Sequence, residues 1–282
     1  MPNNVMKLTS LLILFLMFSM SYGQEVKVLT YNIKYDDVNN TVNNWNDRKA
    51  DMVQLLKHYN PGIIGMQEVL DNQLVYLEES LTNYSAIGVG REDGKKKGEY
   101  SPILFDSSKY KLLQSETFWL SETPSEISVG WDAALERICT YALFEDVSTQ
   151  KQFWVFNTHF DHRGDLAREK SVELIVSKIR EINTNGNPVV LMGDLNLTPD
   201  QKPIQYLQKE LMDGQSLSEH AFYGPTGTFN GFEPAKILDG RIDYIFVEGF
   251  KVERYIHIDD RMENNKHISD HLPVMAELYV DK

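Results

Sequence analysis

Residues 241–258 read Arg-Ile-Asp-Tyr-Ile-Phe-Val-Glu-Gly-Phe-Lys-Val-Glu-Arg-Tyr-Ile-His-Ile. Two strand-like apolar runs, residues 242–247 and 251–258, are joined by a short turn at Glu248-Gly249, which is typical of a β-hairpin. The stretch therefore predicts an antiparallel pair of strands. One residue does not fit a plain core strand, because Asp243 puts a carboxylate where a core favours apolar side chains.

A second polar motif, Ser269-Asp270-His271, follows about thirty positions later. A buried carboxylate or imidazole without a partner costs several kcal/mol. We therefore expect Asp243 and His271 to pair, with the carboxylate fixing the tautomer of the ring and raising its basicity. Each residue alone has a plainer interpretation, as a turn aspartate or a satisfied core histidine, so a catalytic role is indicated only by their occurrence together.

The rest of the chain interleaves strands with helices. Strand-like runs cover residues 26–33, 62–69, 153–159 and 189–195, and helical periodicity covers 47–59, 71–81, 166–182 and 202–211. Residues 141–146 and 152–157 read as another hairpin. A single parallel sheet would not accommodate so many antiparallel returns. We therefore predict an α/β fold with two packed, mixed and mostly antiparallel sheets and helices outside them.

The first 23 residues differ from the remainder. Lys7 precedes the apolar run of residues 11–18, and Ser21-Tyr22-Gly23 precedes Gln24. The run is too short for a membrane helix and has the small residues of a cleavage site. We interpret residues 1–23 as a signal peptide, the alternative being an uncleaved anchor. Residues 24–282 then form one domain, secreted or periplasmic, with no integral membrane segment after cleavage.

The chain is acidic, with a net charge of −13 that becomes −14 without residues 1–23. Lysine and arginine supply most non-specific affinity for nucleic acid, so we expect no stable nucleic-acid partner, although nucleotides remain open. The only cysteine, Cys139, lies in an apolar alternation and excludes an intrachain disulfide. Stability must therefore come from a core, and we expect a monomer.

Polar residues gather where the predicted strands end. Residues two apart on an extended backbone point to one side, so Asn157 with His159, and Asp194 with Asn196, can face one cleft. Rims of this kind commonly carry function. The set comprises Asn32, Glu68, Asn157, His159, Asp194, Asn196, Asp243, Asp270 and His271.

Oxygen donors dominate this set, which suits a hard cation such as Mg²⁺, with Mn²⁺ as the alternative. A zinc site would contain more histidine or cysteine ligands. The predicted metal ligands are Glu68, Asn32 and Asp270. Asp194 and Asn196 would hold and activate a water molecule. His159 and His271 would protonate a leaving oxygen or stabilise developing charge, and the sequence leaves open which does which.

The order of the motifs resembles the endonuclease/exonuclease/phosphatase superfamily, which includes deoxyribonuclease I. The resemblance implies a four-layered α/β sandwich that cleaves phosphate esters with Mg²⁺. It places Asn32 and Glu68 at the metal and assigns water activation to Asp194. The motifs are residues 30–33, 67–68, 157–159, 193–196, 241–244 and 269–271.

Several stretches are similar to a secreted bacterial branch related to the deadenylase-like exonucleases: Trp45 with Arg48-Lys49, residues 98–103, residues 131–134 with Arg137, and residues 157–164. This resemblance makes Tyr100, Arg137 and Asn157 candidate substrate contacts. The planar fork of an arginine matches phosphate oxygens. Arg137 could instead pair with Glu136 or another surface acid.

These observations favour a secreted, Mg²⁺-dependent phosphoesterase that acts on phosphodiesters or phosphomonoesters by direct in-line attack of water. Expected substrates are a nucleotide, a short nucleic acid, a sugar phosphate or a phospholipid headgroup. The alternatives are a 3′–5′ exoribonuclease and a catalytically idle protein that binds a phosphorylated ligand. An acyl hydrolase is disfavoured because the chain has no Gly-x-Ser-x-Gly motif.

Overall fold

A computed structural model describes residues 25–280, so the predicted signal peptide lies outside the described residues. Five helices are described: α1 (Trp45–Tyr59), α2 (Asp71–Ser80), α3 (Asp165–Ile182), α4 (Lys202–Glu210) and α5 (Gly214–Leu217). The strands are β1 (Glu25–Asn32), β2 (Ile63–Gln67), β3 (Tyr84–Ile87), β4 (Ile103–Asp106), β5 (Tyr110–Trp119), β6 (Ile138–Asp146), β7 (Gln152–His159), β8 (Val189–Asp194), β9 (Met212–Asp213), β10 (Asp243–Glu248), β11 (Phe250–His257) and β12 (Val274–Val280).

The strands form two six-stranded sheets. The first has the order β11-β12-β1-β2-β4-β3, and the second has the order β5-β6-β7-β8-β10-β9. Both are mixed: β1 pairs with β2 in parallel, β7 pairs with β8 in parallel, and the other pairs are antiparallel. The predicted fold class is confirmed, and so is the hairpin of β6 and β7.

Three apolar clusters separate four layers. One cluster lies between the sheets and contains Val28, Val190 and Ile245. A second packs α1 and α2 against the first sheet, and a third packs α3 and α4 against the second. Each sheet is thus buried on both faces, which explains why most strands read as continuous apolar runs.

The predicted hairpin at residues 242–258 is wrong. β10 pairs with β8 in the second sheet, whereas β11 pairs with β12 in the first. The chain crosses from one sheet to the other at Gly249, where φ is +72°. A short turn between two apolar strands looks the same in sequence whether the strands share a sheet or face each other, and here packing across the sandwich decides.

Asn157 links the sheets near the functional end of the sandwich. Its side-chain amide donates to the carbonyl oxygens of Met66 and Pro102, each at 2.8 Å, and its Oδ1 accepts from Gln67 at 2.6 Å. Gly65 permits this approach, because a Cβ there would lie 2.7 Å from Asn157 Oδ1. Within residues 25–280 no helix is long and apolar enough to cross a bilayer.

Candidate active site

Three neighbouring strands of the second sheet place polar side chains side by side at the same edge of the sheet. His159 at the end of β7 is the register partner of Asp194 at the end of β8, and Asp194 is the partner of Asp243 at the start of β10. Gly193 has a φ of +149°, and a Cβ there would lie 2.0 Å from the carbonyl oxygen of Thr158. Only glycine therefore fits directly before Asp194.

The first sheet faces this row with Asn32 and Glu68. Asn32 ends β1, and Glu68 follows β2 with a φ of +58°. The Asn32 side-chain amide donates to Glu68 Oε1 at 3.1 Å and to Asp194 Oδ2 at 3.0 Å. Asn32 thus forms hydrogen bonds to one carboxylate from each sheet and holds the two carboxylates close together.

The predicted pair of Asp243 and His271 is present. His271 Nδ1 lies 2.9 Å from Asp243 Oδ2, and both residues are buried. Burial alone would lower the pKa of His271, but the carboxylates of Asp243 and Asp194 raise it to about 10. His271 is therefore an imidazolium at neutral pH.

Asp194 lies at the centre of the site. Its Oδ2 is 3.4 Å from His159 Nε2 and 3.7 Å from His271 Nε2, while its Oδ1 accepts from the backbone N–H of Asn196 at 2.9 Å. Burial, together with Asp243, raises the pKa of Asp194 to about 7, although His271 opposes the shift. A carboxylate with a pKa near neutrality is suited to proton transfer.

His159 has the opposite environment to His271. Burial, together with the positive charges of Arg137 and Arg91, lowers the pKa of His159 well below its usual value, so the ring is neutral. Asn196 Nδ2 lies 3.2 Å from His159 Nε2, and Asn196 has a φ of +49°. A non-glycine residue in this conformation persists only where its surroundings hold it there, which is common at functional sites.

Arg137 forms a cationic wall of the cleft. Its guanidinium is buried, with Nε 3.4 Å from Asp161 Oδ2 and Nη2 3.1 Å from His162 Nδ1. Its Nη1 is buried and has no hydrogen-bond partner among the described residues. Arg91, close by, forms a bidentate ion pair with Glu99 instead. Arg137 therefore has donor capacity left for a ligand, as does Arg91 through its buried Nε.

Most predicted site residues meet in one cleft of about 600 Å³. Asn32 and Asp243 lie directly behind it through their hydrogen bonds to residues of the cleft. Two predicted substrate contacts lie elsewhere: Asn157 is fully buried between the sheets, and the Tyr100 hydroxyl is 3.1 Å from Asp71. The predicted residues that line the cleft are Glu68, Arg137, His159, Asp194, Asn196, Asp270 and His271.

Two sets of side chains offer donors for a cation. Donor atoms of Asp194, Asp243 and His271 lie within 4.8 Å of one another. A protonated imidazole has no free lone pair, so the charged His271 does not suit a metal. Glu68 and Asp270 instead present two carboxylates that line the cleft, a donor set that fits a hard divalent cation.

Several residues of the cleft were not predicted from the sequence. The ring of Phe229, which is 37% exposed, lies edge-on to His271 with 5.0 Å between the centroids. Lys34 directly follows the motif of residues 30–33, and nothing in its type marks it as functional. The other cleft residues not predicted are Tyr35, Glu99, Leu135, His162 and Ile242.

Comparisons with solved structures identify similar proteins. An endonuclease/exonuclease/phosphatase from Bacteroides vulgatus is 38% identical, with a TM-score of 0.87 over 92% of this chain and 100% of that one. The mannosyl-6-phosphatase of Bacteroides thetaiotaomicron is 35% identical, with a TM-score of 0.86 over 90% of this chain and 99% of that one.

A curated relative is more distant. The probable RNA exonuclease NGL3 of Saccharomyces cerevisiae is 28% identical over 210 residues, which are 66% of this chain and 40% of the relative. This chain therefore spans less than half of that protein. The model of the Endonuclease/Exonuclease/phosphatase family matches residues 29–271, which include every predicted catalytic and metal residue. The chain belongs to the endonuclease/exonuclease/phosphatase family.

Proposed function

We propose that this protein is a secreted, Mg²⁺-dependent phosphoesterase that hydrolyses a phosphomonoester by direct in-line attack of water. The observation that carries the proposal is Asp194, a buried carboxylate with a pKa raised to about 7 that lies between a neutral and a charged histidine. Secretion rests on the sequence pattern of residues 7–23.

In this mechanism Asp194 accepts a proton from the attacking water, whose oxygen forms the new bond to phosphorus. The bond to the leaving oxygen breaks on the opposite side, and that oxygen takes a proton from solvent. His271 lies on the Asp194 side, 3.7 Å from Oδ2, so its charge faces the phosphoryl oxygens rather than the leaving group. Asn196 holds His159 beside the water.

Glu68 and Asp270 would hold the Mg²⁺ ion. When bound, the metal supplies Lewis-acid polarisation of a phosphoryl oxygen. Arg137 supplies the complementary contact on the other side of the cleft, since its buried Nη1 has a donor to spare. Two opposed sources of positive charge suit the doubly charged terminal phosphate of a monoester.

The similarity to a mannosyl-6-phosphatase supports a sugar phosphate as the substrate. The second candidate is a 3′–5′ exoribonuclease, which the similarity to a probable RNA exonuclease supports. The net charge of −13 favours the smaller substrate, because an acidic surface repels a long polyanion.

The test measures hydrolysis by purified protein with Mg²⁺ and with a chelator. The substrates are mannose 6-phosphate, p-nitrophenyl phosphate, bis-p-nitrophenyl phosphate and a short RNA. We expect metal-dependent release of phosphate from the monoesters and a loss of kcat of about 10³-fold in Asp194→Asn. Asp146→Asn is the matched control, because Asp146 is also buried but binds a hairpin turn through Ser148 and Thr149.

Shortening of RNA without monoester hydrolysis would favour the exoribonuclease. Full activity in the chelator, or in Asp194→Asn, would contradict the proposed mechanism.

A further inference from the structure

The Lys34 side chain lies between the two carboxylates proposed to hold the metal. Its Nζ is 3.2 Å from Glu68 Oε2 and 3.6 Å from Asp270 Oδ2. Both carboxylates are mostly buried, with side-chain exposures of 13% and 10%, while Lys34 is 27% exposed. One ammonium group therefore bridges two acidic groups that are far apart in the sequence.

The backbone of Lys34 is held in the position that allows this bridge. Its φ is +58°, in the left-handed region that lysine rarely adopts. The Lys34 N–H donates to Asn32 Oδ1 at 3.1 Å. The Lys34 carbonyl accepts from Arg48 Nη2 at 3.1 Å and from Gln73 Nε2 at 3.0 Å. Three side chains thus fix a strained residue, which points to a function for its side chain.

The Lys34 ammonium also contacts an aromatic ring of the cleft. Tyr35, on the same edge of the cleft, lies beneath the ammonium, with 4.6 Å between Nζ and the ring centroid. A cation over an aromatic face is stabilised without a carboxylate, so the ammonium has a second contact in the cleft.

We propose that Lys34 is an internal cation that competes with the divalent metal for Glu68 and Asp270. This inference rests on the proposed function, because it concerns the same metal site. A bound Mg²⁺ needs the carboxylate oxygens that the ammonium contacts. Metal binding displaces Lys34 from Glu68 and Asp270, so Lys34 weakens the affinity for the metal and stabilises the two carboxylates when metal is scarce.

The test measures the affinity for Mg²⁺ and Mn²⁺ by titration calorimetry, with no substrate present. Lys34→Met removes the competing charge, and we expect it to bind Mg²⁺ about tenfold more tightly than the wild type. Lys34→Arg keeps a positive charge and should remain close to the wild type. Lys27→Met is the matched control, because Lys27, on β1, also bridges two acidic side chains, those of Glu25 and Glu277, and is 28% exposed.

Thermal unfolding gives a second readout that does not depend on activity. In a chelator, Lys34→Met should melt below the wild type, since Glu68 and Asp270 then repel each other. In saturating Mg²⁺ the difference should vanish or reverse. A merely structural lysine would lower the melting temperature equally in both conditions, and that result would overturn the inference.

Equal metal affinities for the wild type and Lys34→Met would also overturn the role of Lys34 while leaving the proposed function intact. Failure of both proteins to bind Mg²⁺ or Mn²⁺ would instead contradict the proposed metal-dependent function and, with it, the inference.

Discussion

Each side of the cleft holds a buried histidine, and the two histidines differ in protonation state. On the acidic side, His271 contacts Asp243 and Asp194, and its pKa is raised to about 10. On the cationic side, His159 lies near Arg137 and Arg91, and its pKa is lowered well below the usual value. Both rings approach the same oxygen of Asp194.

The difference shows that the neighbours of a histidine, more than its burial, decide its charge here. Both histidines are buried, so loss of water disfavours the charged form of each. Asp194 lies near both rings, but only His271 also contacts Asp243, at 2.9 Å, and the two carboxylates together outweigh that cost. One side of the cleft therefore offers a permanent positive charge to a phosphate, and the other offers a neutral hydrogen-bonding ring.

Within this comparison of the two sides, the largest effect is expected from removing the charge on the acidic side. Asp243→Asn takes away the carboxylate that keeps His271 protonated, and we expect kcat to fall by about 10²–10³-fold. Steady-state hydrolysis of p-nitrophenyl phosphate in saturating Mg²⁺ measures the loss. Asp146→Asn again serves as the buried control and should retain activity. If Asp243→Asn keeps full activity, the charge on His271 plays no part in turnover.

A third histidine tests the same rule away from the cleft. His257 is buried, its Nδ1 lies 2.7 Å from the carbonyl oxygen of Pro225, and no carboxylate contact outweighs burial, which lowers its pKa to about 4. Between the ordinary value of 6.5 and about 4, the unfolded chain binds a proton at this residue and the folded chain does not. The contribution of the neutral His257 to the free energy of unfolding is therefore complete above pH 6.5 and is lost as the pH falls toward 4.

We expect His257 to contribute about 3 kcal/mol to this loss in the free energy of unfolding. His257→Asn keeps a donor for Pro225 but cannot titrate, so it should lose less stability between pH 6.5 and 4 than the wild type. Urea unfolding at a series of pH values measures the slopes. Equal slopes in the two proteins would show that His257 is not held neutral.

A smaller effect is expected on the cationic side. Arg137→Gln removes the charge that faces His159, and we expect KM for a monoester to rise about tenfold with little change in kcat. The pKa of His159 should rise as well, which histidine NMR titration can follow. Arg180→Gln is the control, because Arg180 is half-exposed on α3 and pairs with Glu248. An unchanged KM in Arg137→Gln would place the phosphate elsewhere.

Much of this site follows from sequence because its chemistry is local to strand ends. The apolar runs place Asn32, Glu68 and Asp194 at the rims of their strands, and the cost of burying a charge pairs Asp243 with His271. How deep a residue lies between the two sheets cannot be predicted from the sequence in the same way. Asn157 does point to the side of His159, but it lies farther in and joins the sheets.

Lys34 was beyond sequence reasoning for a different reason. Its role depends on a left-handed backbone conformation fixed by Arg48 and Gln73, which are distant along the chain. The crossing at Gly249 is a similar case, because only the packing of two sheets tells it apart from a hairpin.

The central claim is that the cleft has an acidic side and a cationic side. The most direct test is a crystal structure of the protein soaked with Mn²⁺ and phosphate, with the metal located by its anomalous scattering. We predict a single peak bound by the carboxylates of Glu68 and Asp270, with the Lys34 ammonium moved away and phosphate in contact with Arg137. A peak bound instead by Asp194, Asp243 and His271 would contradict the account, because it would require His271 to be neutral.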